Sequence, residues 1–532
     1  MSRSSAILVL TLAFFLAALA ATSDNNQKTY LEDSDIYHAL ASLYLEAGLS
    51  EPSNSLPFSA AEVLHHLDKI DPAVLSAAGK HSYSYILRTL KAPRLYSESD
   101  KFGFNGALQL SAEGYIHSKR EYTDWEYGYK QRKSMVDMPL EIWALDSFYA
   151  LMEPSVKKDP FVPEHPDTCT NIITDLSTID PYFPFRALLS VGGNHWNIQF
   201  GRDVLSWGNG RTGDLMLADN IPFYDYLLFS TYWKYFKFIT TYISLENWNE
   251  PDLIEASDLF KAFLGHRIEI RFWDRVNVAV TECMMLEGKY PELRYLNPFM
   301  IYHGWMNNDR YGNININLEL ELNPYRWISI YGQWCGDQIQ AAYERKKFPS
   351  ASDLPTAYGY ILGVDFRYPL GKGYLSANFE WVLTDPWLYL IEGQPDYIIR
   401  RRVRSNFLGR TELIKMPMGY EAGPDSMVYS LAAGYQVYGG FRVQTGFAYT
   451  QQGENTIDTP FQTGPEAIAL STPTGIPEHR LVWHIHGELE LWKYFTIGTR
   501  LYCVQIWNYN HETGRQISDI QWIPYVSMNL RF

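Results

Sequence analysis

The chain ends on "WIPYVSMNLRF", residues 522–532, in which every second residue from Trp522 onward is apolar and the last residue is aromatic. The intervening positions become polar toward the end, with Ser527, Asn529 and Arg531. Because successive side chains of a β-strand point to opposite faces, this alternation predicts a strand with one apolar and one polar face.

The same alternation recurs upstream, in strands joined by tight turns. In "NININLELEL", residues 313–322, isoleucine and leucine fill one face, and asparagine and glutamate fill the other. A turn at Asn323-Pro324-Tyr325 follows, and "RWISIYGQW" is the returning strand. Further hairpins are predicted around residues 370–373, around Gly439-Gly440, and at two copies of "WKYF", residues 233–236 and 492–495.

The connections between these hairpins are much longer and rich in proline, glycine and charge. They cover residues 153–184, 340–358, 385–426 and 451–478. Short turns at one end and long loops at the other are typical of an outer-membrane barrel. A soluble sandwich would also alternate, but a last strand that ends on Phe532 is similar to the signal that the barrel-assembly machinery recognises in bacterial outer-membrane proteins. It favours the barrel.

The amino terminus indicates export. Arg3 precedes an apolar run from Ala6 to Leu19, and Ala18-Leu19-Ala20 places small residues where a signal peptidase cleaves. The run is shorter than the roughly 20 residues that span a bilayer, which argues against an anchoring helix. We therefore predict a signal peptide over residues 1–21.

Residues 22–95 have a helical period instead of a period of two. One candidate helix begins at Ser34 and stops at Gly48, a second follows a capping box at Ser59–Glu62, and a third opens at Asp71-Pro72. We predict a periplasmic helical element over residues 22–95 and an all-β transmembrane barrel over residues 96–532. At about 25 residues per strand, that barrel has roughly 16–18 antiparallel strands.

The composition argues against some classes of binding partner. The formal net charge of −15 argues against nucleic acid. The four cysteines, Cys169, Cys283, Cys335 and Cys503, lie far apart without a C-x-x-C motif. They are compatible with up to two disulfides or with free thiols, and they make no metal signature. We expect no metal and no cofactor; the expected general partners are outer-membrane lipids and, during biogenesis, the barrel-assembly machinery.

"WGNGRTGDLMLADNIPF", residues 207–223, contains the letters of a dinucleotide-binding turn, G-x-G-x-x-G. A true fingerprint opens a helix within a βαβ unit, whereas only a short stretch separates Gly213 from Pro222. Asp214 would also repel a phosphate. We therefore interpret this segment as a turn at the rim of the barrel or folded into its lumen, where glycine permits a close backbone approach.

This stretch also carries a family resemblance. Together with the helical "YHALASLYLEAG" and "LPFSAAEVLHHL", it resembles the Wzi-type capsule assembly proteins, in which a Gly-Arg strand runs into a Trp-Gly-x-Gly loop and then a Pro-aromatic pair. The matching residues are Gly201-Arg202, Trp207 to Gly210, Leu215 to Ala218 and Pro222-Phe223. A second similarity is "GHRIEIRFWDRVNVAVTECMM" followed by "YLNPF".

The resemblance implies a barrel of about 18 strands with a periplasmic helical bundle at its inner mouth. It implies a lectin-like surface anchor for extracellular polysaccharide and no catalysis. Within the matching stretch, we expect Arg202 and Arg211 to be lumen or sugar contacts. Trp207 is a third candidate ligand-binding residue.

A basic stripe is the other candidate ligand site. In "YIIRRRVRSNF", Arg400, Arg402 and Arg404 fall on one side of an extended segment, an arrangement suited to bidentate binding of carboxylate or phosphate groups. Acidic sugars and lipopolysaccharide phosphates are the corresponding ligands. The alternative is that the stripe forms salt bridges inside the lumen, with residues such as Glu319, Glu321 or Glu380.

Signatures of catalysis are weak. His484 and His486 share a strand face and are compatible with a metal, but a polar lumen face commonly carries such residues. There is no G-x-S-x-G, "HETGR" at His511 is not H-E-x-x-H, and His117 and Ser118 face opposite sides of a strand. We therefore predict a protein that is not an enzyme.

Three hypotheses on function follow. The first is a non-enzymatic outer-membrane barrel that retains or assembles capsule-like polysaccharide at the cell surface. The second is a porin-like diffusion channel for small polar or anionic solutes. The third is a surface adhesin or an enzyme on the same barrel.

Overall fold

The computed structural model describes most of the chain. The described residues are 25–91, 96–98, 102–119, 125–161, 169–181, 186–246, 260–288, 293–302, 312–338, 346, 353–391, 395–492 and 494–531. The predicted signal peptide, residues 1–21, and the terminal Phe532 lie outside the described residues.

The wall is a closed antiparallel barrel of 18 strands. In chain order the strands are Phe102–Glu113 (β1), Leu140–Ala144 (β2), Phe148–Glu153 (β3), Arg186–Gly193 (β4), Trp196–Asp203 (β5), Tyr224–Tyr232 (β6), Phe236–Leu245 (β7), Phe260–Phe272 (β8), Val276–Gly288 (β9), Gly312–Tyr325 (β10), Ile328–Gln338 (β11), Ala357–Leu370 (β12), Gly373–Thr384 (β13), Ser426–Val437 (β14), Phe441–Gln452 (β15), Glu478–Leu491 (β16), Phe495–Trp507 (β17) and Gln516–Arg531 (β18). The last strand, β18, pairs with β1 and closes the barrel. The predicted fold class and strand range are confirmed.

Shorter strands complete the sheets. Thr29–Tyr30 pairs with Phe58–Ser59, Ser55–Leu56 pairs with Ser206–Trp207, and Ile398–Ser405 pairs with Arg410–Pro417. Four others extend the wall pairing near β1, namely Tyr96–Glu98, Ile116–His117, Val136–Asp137 and Ser155–Val156.

The two faces of the wall differ in polarity as the alternation predicted. On β10, Leu318 and Leu320 are 44% and 52% exposed, whereas Glu319 between them is 5% exposed. The aliphatic face therefore points out of the barrel and the carboxylate face points into the lumen. Inside, Arg267 on β8 donates to Glu319 and to Glu269, so buried charges are paired.

The turns are asymmetric. Turns of two or three residues join β2 to β3, β4 to β5, β6 to β7, β8 to β9, β10 to β11, β12 to β13, β14 to β15 and β16 to β17, and they share one end of the barrel. The connections at the opposite end are longer. The short-turn end and the long-loop end predicted from the sequence are therefore present.

The N-terminal element, residues 25–91, is helical. Its helices are Asp35–Ala47 (α1), Ala60–Leu67 (α2) and Ala77–Leu90 (α3), capped by Ser34, Ser59 and Ser76. The third helix begins later than predicted, because Pro72 opens only a 3-10 turn, Pro72–Val74, and Leu75 returns to an extended conformation. A fourth short helix, Pro465–Ala469 (α4), lies in a long loop. Among the described residues, no helix has both the length and the apolar character needed to cross a membrane.

The N-terminal element occupies the short-turn end of the lumen. Its backbone and side chains bond the short turns themselves: Ser50 N–H donates to the Asp274 carbonyl (3.0 Å), Trp327 N–H donates to the Leu45 carbonyl (3.0 Å), and His81 bonds the Tyr438 carbonyl (2.9 Å). Lys69 reaches the Lys234 carbonyl and Gln27 the Asp146 carbonyl in the same way. Turns all around the rim therefore hold this element.

Burial among arginines makes α1 sensitive to pH. His38 faces Arg367, Arg442 and Arg211, and burial together with these charges lowers its pKa from 6.5 to about 3, against a smaller opposing effect of Asp365. A histidine whose folded pKa is depressed contributes stability that is present above pH 6.5 and is lost as pH falls toward 3.

As the pH is lowered from 6.5 to 4, we expect the free energy of unfolding of the wild-type barrel to decrease by up to about 1.4 kcal/mol per pH unit. The heat-denaturation midpoint should decrease with it. His38→Gln does not titrate and should flatten this dependence, whereas His511→Gln, in an exposed loop, should leave it unchanged. Gel mobility of heated samples measures the midpoint. Equal pH dependence in wild type and His38→Gln would contradict the assignment.

Candidate functional site

A long loop between β5 and β6, residues 204–223, folds into the lumen; we call it the inward segment. Its strand Ser206–Trp207 pairs with Ser55–Leu56 of the N-terminal element, and Gly208 N–H donates to the Asn54 carbonyl (2.8 Å). Trp207 is fully buried. The loop therefore meets the N-terminal element inside the barrel, which agrees with the interpretation of a segment folded into the lumen.

The glycines of "GNGRTG" serve packing around a carboxylate. Asp214 accepts hydrogen bonds from Gly210 N–H (3.1 Å), Ser206 Oγ (3.0 Å) and Gln333 Nε2 (2.6 Å). A Cβ at Gly208 would overlap Asp214 Oδ1, and one at Gly210 would overlap the Gly213 carbonyl. The chain's own carboxylate fills the space that a bound phosphate would need, which agrees with the rejection of a nucleotide site.

Arg211 ties the inward segment to both of its neighbours. Its guanidinium contacts Glu51 of the N-terminal element and Asp365 of β12 (3.1 Å). Its backbone N–H donates to Glu380 on β13 (2.6 Å). Glu51 and Asp365 raise the pKa of Arg211 well above its ordinary value despite burial, so this cation stays charged in the lumen.

At the end of the inward segment, the aromatic ring of Phe223 lies between two guanidinium groups. Arg202 forms a bidentate pair with Asp225 (2.7 and 2.8 Å) and lies 4.0 Å from the centre of the Phe223 ring. Arg401 lies 3.7 Å from the centre of the same ring and donates to the Phe223 carbonyl (3.0 Å). The sequence interpretation assigned no role to Arg401, whose side chain points to the opposite face from the predicted stripe.

The stripe itself lies on a long-loop hairpin, residues 398–417, which we call the arginine hairpin. Arg400 pairs with Asp396, while Arg402 and Arg404 are exposed. The alternation of the three arginines is as predicted, but the proposed lumen partners are wrong. Glu319 binds Arg267, Glu321 accepts from Ser329 Oγ and Glu51 N–H, and Glu380 binds the inward segment, because these glutamates lie deeper in the barrel.

Between the long loops and the N-terminal element lies a cavity of about 1000 Å³, which we call the vestibule. Its floor includes Asp33, His38 and Arg211, and its upper part includes Lys415 and Thr456 of the long loops. Its charged lining includes the basic Lys130, Lys133, Arg211, Arg401, Lys415 and Arg500 and the acidic Glu32, Asp33, Asp180, Asp214, Asp219 and Glu421. These six basic and six acidic side chains balance each other, whereas the whole chain has a net charge of −15.

Two cations of the vestibule lining, Lys133 and Arg500, each lie beside a buried tyrosine ring. Lys133 Nζ lies 5.0 Å from the centre of the Tyr525 ring, and the Arg500 guanidinium lies 4.6 Å from that of Tyr127. The rings are fixed because Tyr127 Oη donates to Glu113 (2.7 Å) and Tyr525 Oη donates to Glu488 (2.6 Å). Cations held beside fixed rings suit a ligand that has anionic groups.

The sequence interpretation did not include these residues. A local signal was present in "WEYGYKQRK", residues 125–133, where aromatic and basic residues interleave. Arg500 had no such signal, because its neighbours in the vestibule come from other strands and loops. Arg500 contacts these neighbours only because the barrel closes.

One residue of the histidine pair, His486, belongs to a hydrogen-bonded chain. His486 Nε2 bonds Tyr525 Oη (2.9 Å), which in turn donates to Glu488. In the part of the chain that the structure describes, no three metal-ligating side chains come together. All four cysteines are free thiols, with Cys283 and Cys335 buried.

These features define a class: an outer-membrane β-barrel whose lumen is crossed by its own N-terminal element and inward segment. No family model matches the sequence, and no curated protein sequence matches it either. A solved structure does match, and it is Wzi of Escherichia coli, described as an outer-membrane protein involved in group 1 capsule assembly and a carbohydrate-binding β-barrel. The match has 14% identity, covers 95% of this chain and 99% of that one, and has a TM-score of 0.61.

Two further solved barrels are less similar. OccAB4 of Acinetobacter baumannii has 9% identity over 83% of this chain and all of its own, and OccK5 of Pseudomonas aeruginosa has 11% identity over 81% and 98%; both TM-scores are 0.40. The resemblance inferred from sequence is therefore confirmed as a likeness of fold to Wzi.

Trp207 holds the inward segment in place. Trp207→Ala would leave a cavity worth about 3–5 kcal/mol, and we expect the segment to detach while the 18-strand wall persists. Trypsin cleavage after Arg211, located by mass spectrometry, measures the detachment. Trp273→Ala, at an exposed turn, is the matched control and should stay uncleaved at Arg211. Equal resistance of both variants would show that Trp207 does not anchor the segment.

Proposed function

We propose that this barrel is not an enzyme and that it binds extracellular polysaccharide in the vestibule, holding a capsule-like polymer at the cell surface. The observation that carries this proposal is the vestibule itself. It reaches the long loops at one end and ends on the N-terminal element and the inward segment at the other. A polymer that enters such a site is held rather than passed through.

The floor of the vestibule supports retention because it is tied on several sides. Arg211 joins the inward segment to Glu51 and Asp365, and Trp207 packs in the apolar core beneath. We propose that Arg211 and Trp207 shape the floor. In outer-membrane barrels the short turns face the periplasm, so we propose that the N-terminal element lies on the periplasmic side.

The chemistry of the walls supports an acidic glycan or the phosphates of lipopolysaccharide. Lys133 and Arg500 present charge to the vestibule, where the carboxylate or phosphate of a glycan can pair with them. Arg402 and Arg404 on the arginine hairpin, with Arg400 behind them, are proposed as outer contacts. Arg202 orients Phe223 at the vestibule edge.

Two further observations support a non-enzymatic binding role. Ser118 Oγ donates to Asp519 (2.8 Å), so this serine points at a carboxylate and not at His117. The solved barrel that this chain resembles over 95% of its length is described as carbohydrate-binding. We propose the same ligand class here.

Removing the cations tests the proposal. In cells that lack the native gene, we expect polysaccharide to move from the cell-bound to the released fraction while total export is unchanged. The double variant Lys133→Gln/Arg500→Gln should restore little retention, because each lost charged hydrogen bond costs about 1.5–3 kcal/mol, or at least about tenfold in affinity. Quantified cell-bound and released polymer is the measurement.

Arg515→Gln is the matched control, because Arg515 is an exposed long-loop arginine paired with Glu512 and outside the vestibule lining. It should restore retention fully. Retention that is unchanged in the gene deletion would refute the proposal. Full retention by the double variant would show that polysaccharide binds outside the vestibule.

A second candidate function is a diffusion channel for small polar or anionic solutes, and one observation favours it. The vestibule shares Lys130 and Lys133 with a second cavity of about 530 Å³. That cavity shares Gln109 and Asn529 with a third of about 700 Å³, which reaches Lys91 at the end of α3. The series runs between the N-terminal element and the wall.

Planar-bilayer conductance separates the two functions. A plugged anchor predicts little conductance from the full chain, whereas a channel through the three cavities predicts steady conductance that Gln109→Trp blocks, since Gln109 lines the junction. Gln505→Trp, on β17 outside these cavities, is the control. Steady conductance with unchanged polysaccharide retention on gene deletion would replace the first function by the second.

A further inference from the structure

A segment of the loop between β9 and β10, residues 293–302, lies on the outside of the barrel; we call it the outer flap. Its side chains Tyr295, Met300 and Tyr302 pack on Leu264 of β8 and Met284 of β9. The neighbours Phe263, Cys283 and Met285 belong to the core inside the lumen. Because side chains alternate along a strand, Leu264 and Met284 point outward, and the flap covers the outer face.

The flap reaches the apolar belt of the wall. The Phe299 ring stacks on Phe238 of β7, with 5.9 Å between ring centres and 12° between planes. Phe238 pairs with Ile268 in the β7–β8 ladder. On the same outer face the belt continues with the exposed Ile268, Ile270, Phe272 and Val280. The flap therefore stands beside the belt and not in the layer of long loops.

Beneath the flap lies a polar pair on this outer face. His266 Nε2 is 3.0 Å from Glu282 Oε2, and the two residues face each other across β8 and β9. Tyr302 N–H donates to Glu282 (2.9 Å), and its ring lies 4.8 Å from that of His266. Polar groups on a lipid-facing wall are costly unless they are satisfied within the protein. The flap supplies that cover.

The flap is apolar on its other side too. Phe299 is 81% exposed, Ile301 62% and Leu296 44%, so the wall leaves much of the surface of these three side chains uncovered. The flap also carries the exposed Arg294, which donates to Tyr295 Oη (2.8 Å), and the exposed Asn297. Its exposed apolar side chains are nevertheless continuous with a belt that contacts lipid, and such a surface is unfavourable in water. The geometry points to a membrane-embedded flap: residues 293–302 lie in the bilayer against the barrel and contact lipid acyl chains through Leu296, Phe299 and Ile301.

Site-specific probes test this inference independently of polysaccharide binding. Phe299→Cys and Ile301→Cys are made in a Cys169→Ser/Cys503→Ser background, which leaves only the two buried native thiols. Each is labelled with an environment-sensitive fluorophore as a folded barrel in phosphatidylcholine vesicles. Leu320→Cys marks the lipid-facing wall, and Leu408→Cys marks the tip of the arginine hairpin.

We expect brominated acyl chains to quench the probes at positions 299 and 301 to the same extent as at 320, and aqueous iodide to quench only the probe at 408. Iodide quenching at 299 and 301 would overturn the inference, because the flap would then face water. Protection from both quenchers would also overturn it, in favour of a protein interface such as a second copy. Two labelled positions keep the test decisive if one variant fails to fold.

Discussion

Polar side chains on the inner face of a closed barrel need protein partners wherever the rest of the chain excludes water from the lumen, and this requirement organises the molecule. The wall lines its lower lumen with charges that a bare channel would leave to water. The N-terminal element supplies partners for them: Lys237 pairs with Glu62 (2.7 Å), and Glu321 accepts from Glu51 N–H (3.0 Å). Removing one partner of such a pair strands a buried charge and costs several kcal/mol. The element and the wall are therefore parts of one core.

The elements with local periodicity were predictable. Alternation in "NININLELEL" places leucines outside and glutamates inside, and the serine caps and Gly48 mark helix ends, because each signal depends on residues close in sequence. The sequence left two positions open for the inward segment, the rim of the barrel and its lumen. It could not decide between them because the partners Asn54 and Gln333 are far away along the chain. The buried run Leu215 to Ala218 was an unused hint, because an apolar run within a loop needs a core.

In the candidate site, too, features set by residues close in sequence were predictable, and features set by distant residues were not. The arginine stripe alternates as its spacing predicts, yet its partner is the local Asp396 and not a lumen glutamate, because depth in the barrel is not encoded in spacing. Lys133 and Arg500 become neighbours of fixed tyrosines only through closure of β18 on β1. Two candidate ligand residues, Arg211 and Trp207, also have contacts within the protein: Arg211 pairs with Glu51, and the strand of Trp207 pairs with the N-terminal element.

The contacts between the N-terminal element and the short turns have a consequence for biogenesis. The element emerges first, but its bonding groups await turns as far along the chain as Asp146, Asp274, Trp327 and Tyr438. The element can complete its hydrogen bonds only when those hairpins are in their final positions. If a hairpin is missing or shifted, some donors and acceptors of the element have no partner. Hydrogen bonding of the N-terminal element therefore depends on completion of the ring of strands.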